Sequence, residues 1–166
     1  SHLYYYRVFF RSRRSGLASY EVLRDCRGYL WYCPSTLERG FVKELSNVNE
    51  LECLYHRKPM LVGPLWICSL GKHDFLNRLL DNYSYFNGLF DETTHKLLSM
   101  LHREYDVNEP YIRYDRFFGV IKKNMPPIEE FIEFLREHGF KAYRTHFDPR
   151  GVKTNASIND LYELFT

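Results

Sequence analysis

Pro126-Pro127-Ile128-Glu129-Glu130-Phe131-Ile132-Glu133-Phe134-Leu135-Arg136-Glu137-His138-Gly139 is the stretch on which the fold of this chain turns. Proline is tolerated where a helix starts, because its missing N–H would be unpaired there anyway. Ile128, Phe131, Ile132 and Leu135 then recur at i, i+3, i+4 and i+7, the period of an amphipathic helix, and Gly139 stops it. Residues 140–147 predict a strand, Asp148-Pro149-Arg150-Gly151 a turn, and residues 152–156 a returning strand. Upstream, residues 114–123 predict a shorter helix with Phe117, Phe118 and Ile121 inward, and Asn124-Met125 a brief turn. Helix, turn, helix and hairpin is the plan of a winged helix.

Toward the N-terminus the pattern is different. Residues 3–10 predict an aromatic strand, apolar on both faces apart from Arg7. Residues 15–26 predict a short helix with Tyr20, Val22 and Leu23 inward, ended by Gly28 at a C′ position. Residues 29–33 return as a strand, 34–59 form an irregular insertion, and 60–66 re-enter the sheet with a bend at Gly63-Pro64 and Trp66 in the core. A helix over 72–85 presents Phe75, Leu76, Leu79, Leu80 and Tyr83; another, capped by Asp91, presents Leu97, Leu98, Leu101 and Tyr105. The expected fold is α+β: a small mixed sheet with flanking helices, then a winged-helix-like helix-turn-helix and β-hairpin. The expected lobes are 1–110 and 111–166, packed as one structural unit.

Of the 166 residues, 45% are hydrophobic and 17% aromatic, which excludes extended disorder. No apolar run approaches the roughly 18 residues of a membrane span and no signal-peptide pattern opens the chain, so a cytoplasmic protein without membrane contact is expected. The four cysteines, Cys26, Cys33, Cys53 and Cys68, form no C-x-x-C pair, and a reduced intracellular protein is the simplest reading. Glu129, Glu130 and Glu133 read as a solvated helix face, and no nucleophile motif is present, so no catalytic residue is assigned.

The net charge of +2 is unevenly spread. Arg7, Arg11, Arg13 and Arg14 precede the first acid, Glu21. Near the C-terminus, Lys141, Arg144, Arg150 and Lys153 face only Asp148 in the local sequence. Two basic islands on a near-neutral chain suit a localised polyanion contact. The alternative is ordinary solvation of a hairpin and a loop. Arg144, Arg150 and Lys153 are candidates for phosphates, with His146 and Thr154 near sugar or phosphate oxygens and Arg11, Arg13 and Arg14 as a second patch. His146 reads equally as a structural hydrogen-bonding residue at the strand edge. Asp148 reads as a turn-former that bonds its own backbone. The helix bearing Glu129, Glu130, Glu133 and Glu137 would repel phosphate, which leaves the hairpin as the better contact.

The run Arg144-Thr145-His146-Phe147-Asp148-Pro149-Arg150-Gly151-Val152-Lys153-Thr154 resembles the C-terminal signature of the tRNA N2,N2-dimethylguanosine methyltransferase family. Gly63-Pro64-Leu65-Trp66, Lys72-His73-Asp74-Phe75, Leu135-Arg136-Glu137-His138-Gly139-Phe140 and Gly28-Tyr29-Leu30-Trp31-Tyr32-Cys33 stand in that family's order. The resemblance is to the tRNA-binding C-terminal half of those enzymes. It implies a partner tRNA, and S-adenosylmethionine used by a catalytic domain in the same or a separate chain. The chain by itself is therefore expected to be inactive. Its nine glycines are scattered and none forms the G-x-G spacing of a dinucleotide-type cofactor turn, so no cofactor-binding residue is assigned. Relatives carry two C-x-x-C knuckles where this chain has Cys33-Pro34-Ser35-Thr36 and Cys53-Leu54-Tyr55-His56. That leaves Cys33, Cys53 and His56 where a structural zinc takes four ligands, and no metal is assigned. The alternative function is a winged-helix-like protein-interaction module without RNA affinity, docking through its aromatic N-terminal strand.

Overall fold

A computed structural model describes residues 14–46, 51, 53, 58–86 and 91–166. The strand expected over 3–10 lies outside the described residues. Helix α1 (Gly16–Cys26) starts where Ser15 accepts a hydrogen bond from the Ala18 amide. It buries none of its residues, so Tyr20, Val22 and Leu23, expected inward, are exposed. Its end also differs from expectation. Arg27 closes it in extended backbone, and Gly28 already belongs to β1 (Arg27–Tyr32). A Cβ at Gly28 would lie 2.5 Å from the Val42 carbonyl oxygen and 2.7 Å from Ile67, so close approach of chains demands glycine there.

β1 is the centre of a three-stranded sheet, flanked by β2 (Arg39–Val42) and β3 (Met60–Trp66). Both pairings are antiparallel, which corrects the expected mixed sheet. The stretch read as irregular also contains β2, because residues 33–38 form a tight reversal: the Cys33 amide donates to the Glu38 carbonyl and the Leu37 amide to the Cys33 carbonyl. The β1–β3 register shifts between Gly28 and Leu30, across from Gly63-Pro64, where the bend was expected. β3 does not enter the core. Trp66 is 51% exposed, its indole N–H directed at the Ser69 carbonyl. The four cysteines, expected as free thiols, are paired. The β1–β3 pairing and the residue-33 reversal bring Cys26 to Cys68 and Cys33 to Cys53, with Cα separations of 4.9 and 6.1 Å.

Helices α2 (His73–Tyr85) and α3 (Glu92–Glu104) pack side by side, and Asp91 caps α3 through the Thr94 amide as the sequence indicates. Leu76 is buried, whereas Phe75 is exposed, which narrows the α2 face. Along α3 the fully buried residue is Glu104, while Leu97, Leu98, Leu101 and Tyr105 are half-buried.

The second sheet holds β4 (Ile112–Arg113), β5 (Ala142–Arg144) and β6 (Gly151–Thr154) in the order β4-β6-β5, again antiparallel. Helices α4 (Tyr114–Ile121) and α5 (Ile128–Glu137) separate β4 from β5 in sequence. Phe117 and Phe118 of α4 and Ile128, Phe131, Ile132 and Leu135 of α5 are buried, the face read from their spacing. Gly139 ends α5 at φ +85°, where glycine is favoured. Helix α6 (Ile158–Phe165), not foreseen, opens with a reciprocal cap between Ser157 and Asp160 and lays Leu161 and Phe165 onto the same core. Leu37 joins that core from the first sheet's reversal, Tyr162 donates to the Thr36 carbonyl, and Arg39 Nε donates to the Pro110 carbonyl. No helix among the described residues is long and apolar enough to cross a membrane.

Candidate nucleic-acid interface

The β5–β6 connection is built by its own side chains. Thr145 Oγ1 donates to the Asp148 carbonyl, the Asp148 carboxylate accepts from the Arg150 amide, and the Gly151 amide donates back to the Asp148 carbonyl. Asp148 is therefore the turn-former read from the sequence. Gly151 is required: a Cβ there would lie 2.3 Å from Thr145 Oγ1 and 3.1 Å from the Tyr111 ring.

Around this turn the candidate residues separate. Arg144 and Arg150 reach solvent. Arg144 pairs with Glu129 at 2.7 Å and Arg150 with Asp115 at 3.1 Å. The exposed Arg144–Glu129 pair contributes about 0–1 kcal/mol and exchanges readily for another anion, whereas Asp115 is only 18% exposed. Lys153 is half-buried, its ammonium donating to the Val107 carbonyl at 3.1 Å. Burial pushes that ammonium below its usual value, opposed by the charges of Glu104 and Glu109. Thr154 is 0% exposed, and its hydroxyl accepts from the Ala156 amide. On a strand, alternate residues face opposite sides, and Thr154, expected near sugar or phosphate oxygens, faces the core. His146 is tied to the end of α3. Its ring Nδ1 and its amide both bond Glu104 Oε2, at 2.7 and 3.1 Å. Arg14 is exposed at the start of the described chain; Arg11 and Arg13 lie outside the described residues.

The reading of a single opposing acid fails in three dimensions. Asp115, Glu104 and Glu129 converge on the turn from three helices. Arg113, which the sequence did not single out, donates to Asp115 at 3.1 and 2.6 Å and lies 3.8 Å from Asp148. The β4–β6 register places Arg113 opposite Gly151. Nothing local in the sequence signals a pairing across nearly 40 residues. Glu104 left a clue, since it continues the apolar stripe of Leu97 and Leu101. Burial raises the Asp115 carboxyl, but hydrogen bonds from Arg113 and Arg150 outweigh that and hold it below the usual carboxylate range.

Outside the turn, Cys33, Glu38 and Cys53 bring three donor atoms within 4.8 Å of one another. The two sulfurs are bonded to each other, Thr36 donates to Glu38, and His56 lies outside the described residues. Among the described residues this is a set of three donors, two of them joined by one bond, where a structural zinc takes four ligands. Both sheets are antiparallel, and α4 follows β4 directly, without a glycine-rich turn at its N-terminus.

A model of the family described as N2,N2-dimethylguanosine tRNA methyltransferase matches residues 1–166. Among curated proteins, a tRNA (guanine(26)-N(2))-dimethyltransferase of Sulfurisphaera tokodaii is 33% identical over 161 residues, covering 95% of this chain and 41% of that protein. Its counterpart in Methanobrevibacter smithii is 26% identical over 164 residues, with 97% and 42% covered. The chain thus spans about two fifths of the length of these relatives. Among solved structures, Trm1 from Pyrococcus horikoshii, in complex with S-adenosyl-L-methionine, superposes with a TM-score of 0.68 at 24% identity, over 87% of this chain and 36% of that one. That likeness supports the fold.

Proposed function

The chain belongs to the N2,N2-dimethylguanosine tRNA methyltransferase family, and from that premise we propose that it is a tRNA-holding domain acting in the cytoplasm. In this reading methyl transfer from S-adenosylmethionine belongs to the part of the relatives' length beyond this match. Residues 111–166 act as a winged helix whose wing is the β5–β6 turn, and residues 1–110 form the accompanying lobe. The observation that carries the proposal is the pair of exposed guanidiniums, Arg144 and Arg150, held on either side of a turn stiffened by Asp148 and Thr145. The outward face of α5, with Glu129, Glu130, Glu133 and Glu137 exposed, argues against insertion into a groove. Folded RNA is held largely through its phosphates and 2′-hydroxyls, which a cationic turn serves. Arg14, with Arg11 and Arg13, forms the second patch of the proposal, and Lys153 supports the wing from its half-buried position.

The test is a salt titration of the chain against folded tRNA, beside a DNA duplex of equal charge. Binding that prefers tRNA and weakens steeply with salt is expected. Arg144→Ala and Arg150→Ala should each lower the log–log salt slope by about 0.7–0.9 while leaving the melting temperature nearly unchanged. Absence of tRNA binding at low salt overturns the proposal. That outcome would favour the second reading, a protein-docking module, for which β3 offers one observation: every residue from Met60 to Trp66 is exposed.

A further inference from the structure

The wing's cations are partly neutralised by Asp115 and Glu129, so charge alone gives it a modest grip. The same turn exposes something its folding does not require. Phe147 is 45% exposed and Tyr111 37% exposed, and their rings meet edge to face at 5.0 Å with 89° between planes. The His146 ring meets Phe147 in the same way at 5.1 Å. The two rings that Phe147 touches are themselves held. The Tyr111 ring lies against Gly151, Arg113 of the next strand pairs with Asp115 beside it, and His146 is held twice by Glu104. Two ordered aromatic rings open to solvent thus adjoin the Arg113–Asp115–Arg150 cluster.

Resting on the tRNA-holding reading, we infer that the Phe147 ring, braced edge to face by Tyr111, is a stacking face for one unpaired base of the RNA, whose flanking phosphate lies at Arg150. The chemistry favours a nucleotide over an apolar peptide. Every base offers a π-face, stacking tolerates any sequence, and the guanidinium beside the rings matches the phosphate that each base carries. An apolar peptide would make no use of Arg150, whose side chain stays 61% exposed even while paired with Asp115. The preformed rings lose little conformational freedom on binding, so stacking is retained largely as affinity.

The experiment measures binding of the chain and its variants to an unmodified tRNA transcript, and to a hairpin of similar charge with few unpaired bases. Phe147→Leu keeps an apolar contact with Tyr111 but removes the π-face. It should weaken tRNA binding about 5- to 150-fold, the range for one stacked base, with the salt slope unchanged. Binding to the paired hairpin should barely move. Phe147→Trp should retain tRNA binding, with its added emission quenched on complex formation. Phe147→Leu binding tRNA like the parent, or an unquenched Trp at 147, overturns the stacking face. If Arg144→Ala and Arg150→Ala still weaken binding in that case, the holding role survives without it. If the parent binds no RNA at low salt, both fall together.

Discussion

Replacing Glu104 by alanine should loosen the β5–β6 turn more than removing any of its cations. Glu104 sits at the last turn of α3 with 2% of its surface exposed, and one carboxylate oxygen accepts both the amide and the ring Nδ1 of His146. A hydrogen bond to a charged group contributes about 1.5–3 kcal/mol, and Glu104 accepts two. The His146 side chain is 13% exposed, so water partly compensates and the lower end applies to both, about 3 kcal/mol together. In a domain of this size that lowers the melting temperature by about 6–12 °C. Glu104→Gln keeps one acceptor for the amide and should lose about half as much. Circular dichroism melting gives the global number, and hydrogen exchange at the His146 amide gives the local one, since that N–H loses its buried acceptor. A Glu104→Ala protein that melts within about 2 °C of the parent, with an equally protected His146 amide, would refute the reasoning.

Two further tests address the fold and its acid response. Phe117→Ala, at 0% exposure, should cost about 3–5 kcal/mol, whereas Trp66→Ala should cost no more than about 1.5; equal losses in denaturant titrations would contradict the exposed position of β3. Asp115→Asn should free Arg113 and Arg150, tightening tRNA binding at low salt and steepening its salt dependence, and weaker binding would mean that Asp115 positions Arg150 rather than competing for it. Because the folded Asp115 carboxyl is held below its ordinary value of 3.8, the stability it contributes is complete above that pH and is lost as pH falls through the lower folded value. The Asn variant should lack that part of the acid transition.

The C-terminal third of the fold was legible because each local signal agreed with the next. The spacing of Ile128, Phe131, Ile132 and Leu135, the stop at Gly139 and the turn at Asp148 act within a few residues of one another. Even α6 left a readable start in Ser157-x-x-Asp160. What could not be read was which acids would meet the basic turn. Glu104, Asp115 and Glu129 arrive through helix packing and the β4–β6 register, and no spacing reports those. The same limit explains Thr154 and Trp66. Residue type placed the hydroxyl outside and the indole inside, while pairing on β6 and the edge position of β3 reversed both.

The order β4-β6-β5 also governs how the chain meets the ribosome. Among the described strands β4 and β5 each pair with β6, so neither gains a strand neighbour until residues 151–154 have left the exit tunnel. Leu161 and Phe165 of α6, which cover Phe117 and its neighbours, follow later still. Until then a nascent chain carries two finished helices with uncovered aromatic faces, a surface that chaperones bind and that aggregates when crowded. Loss of residues 155–166 therefore acts less like trimming a surface segment than like leaving the β4-β6-β5 sheet and its helices half-covered.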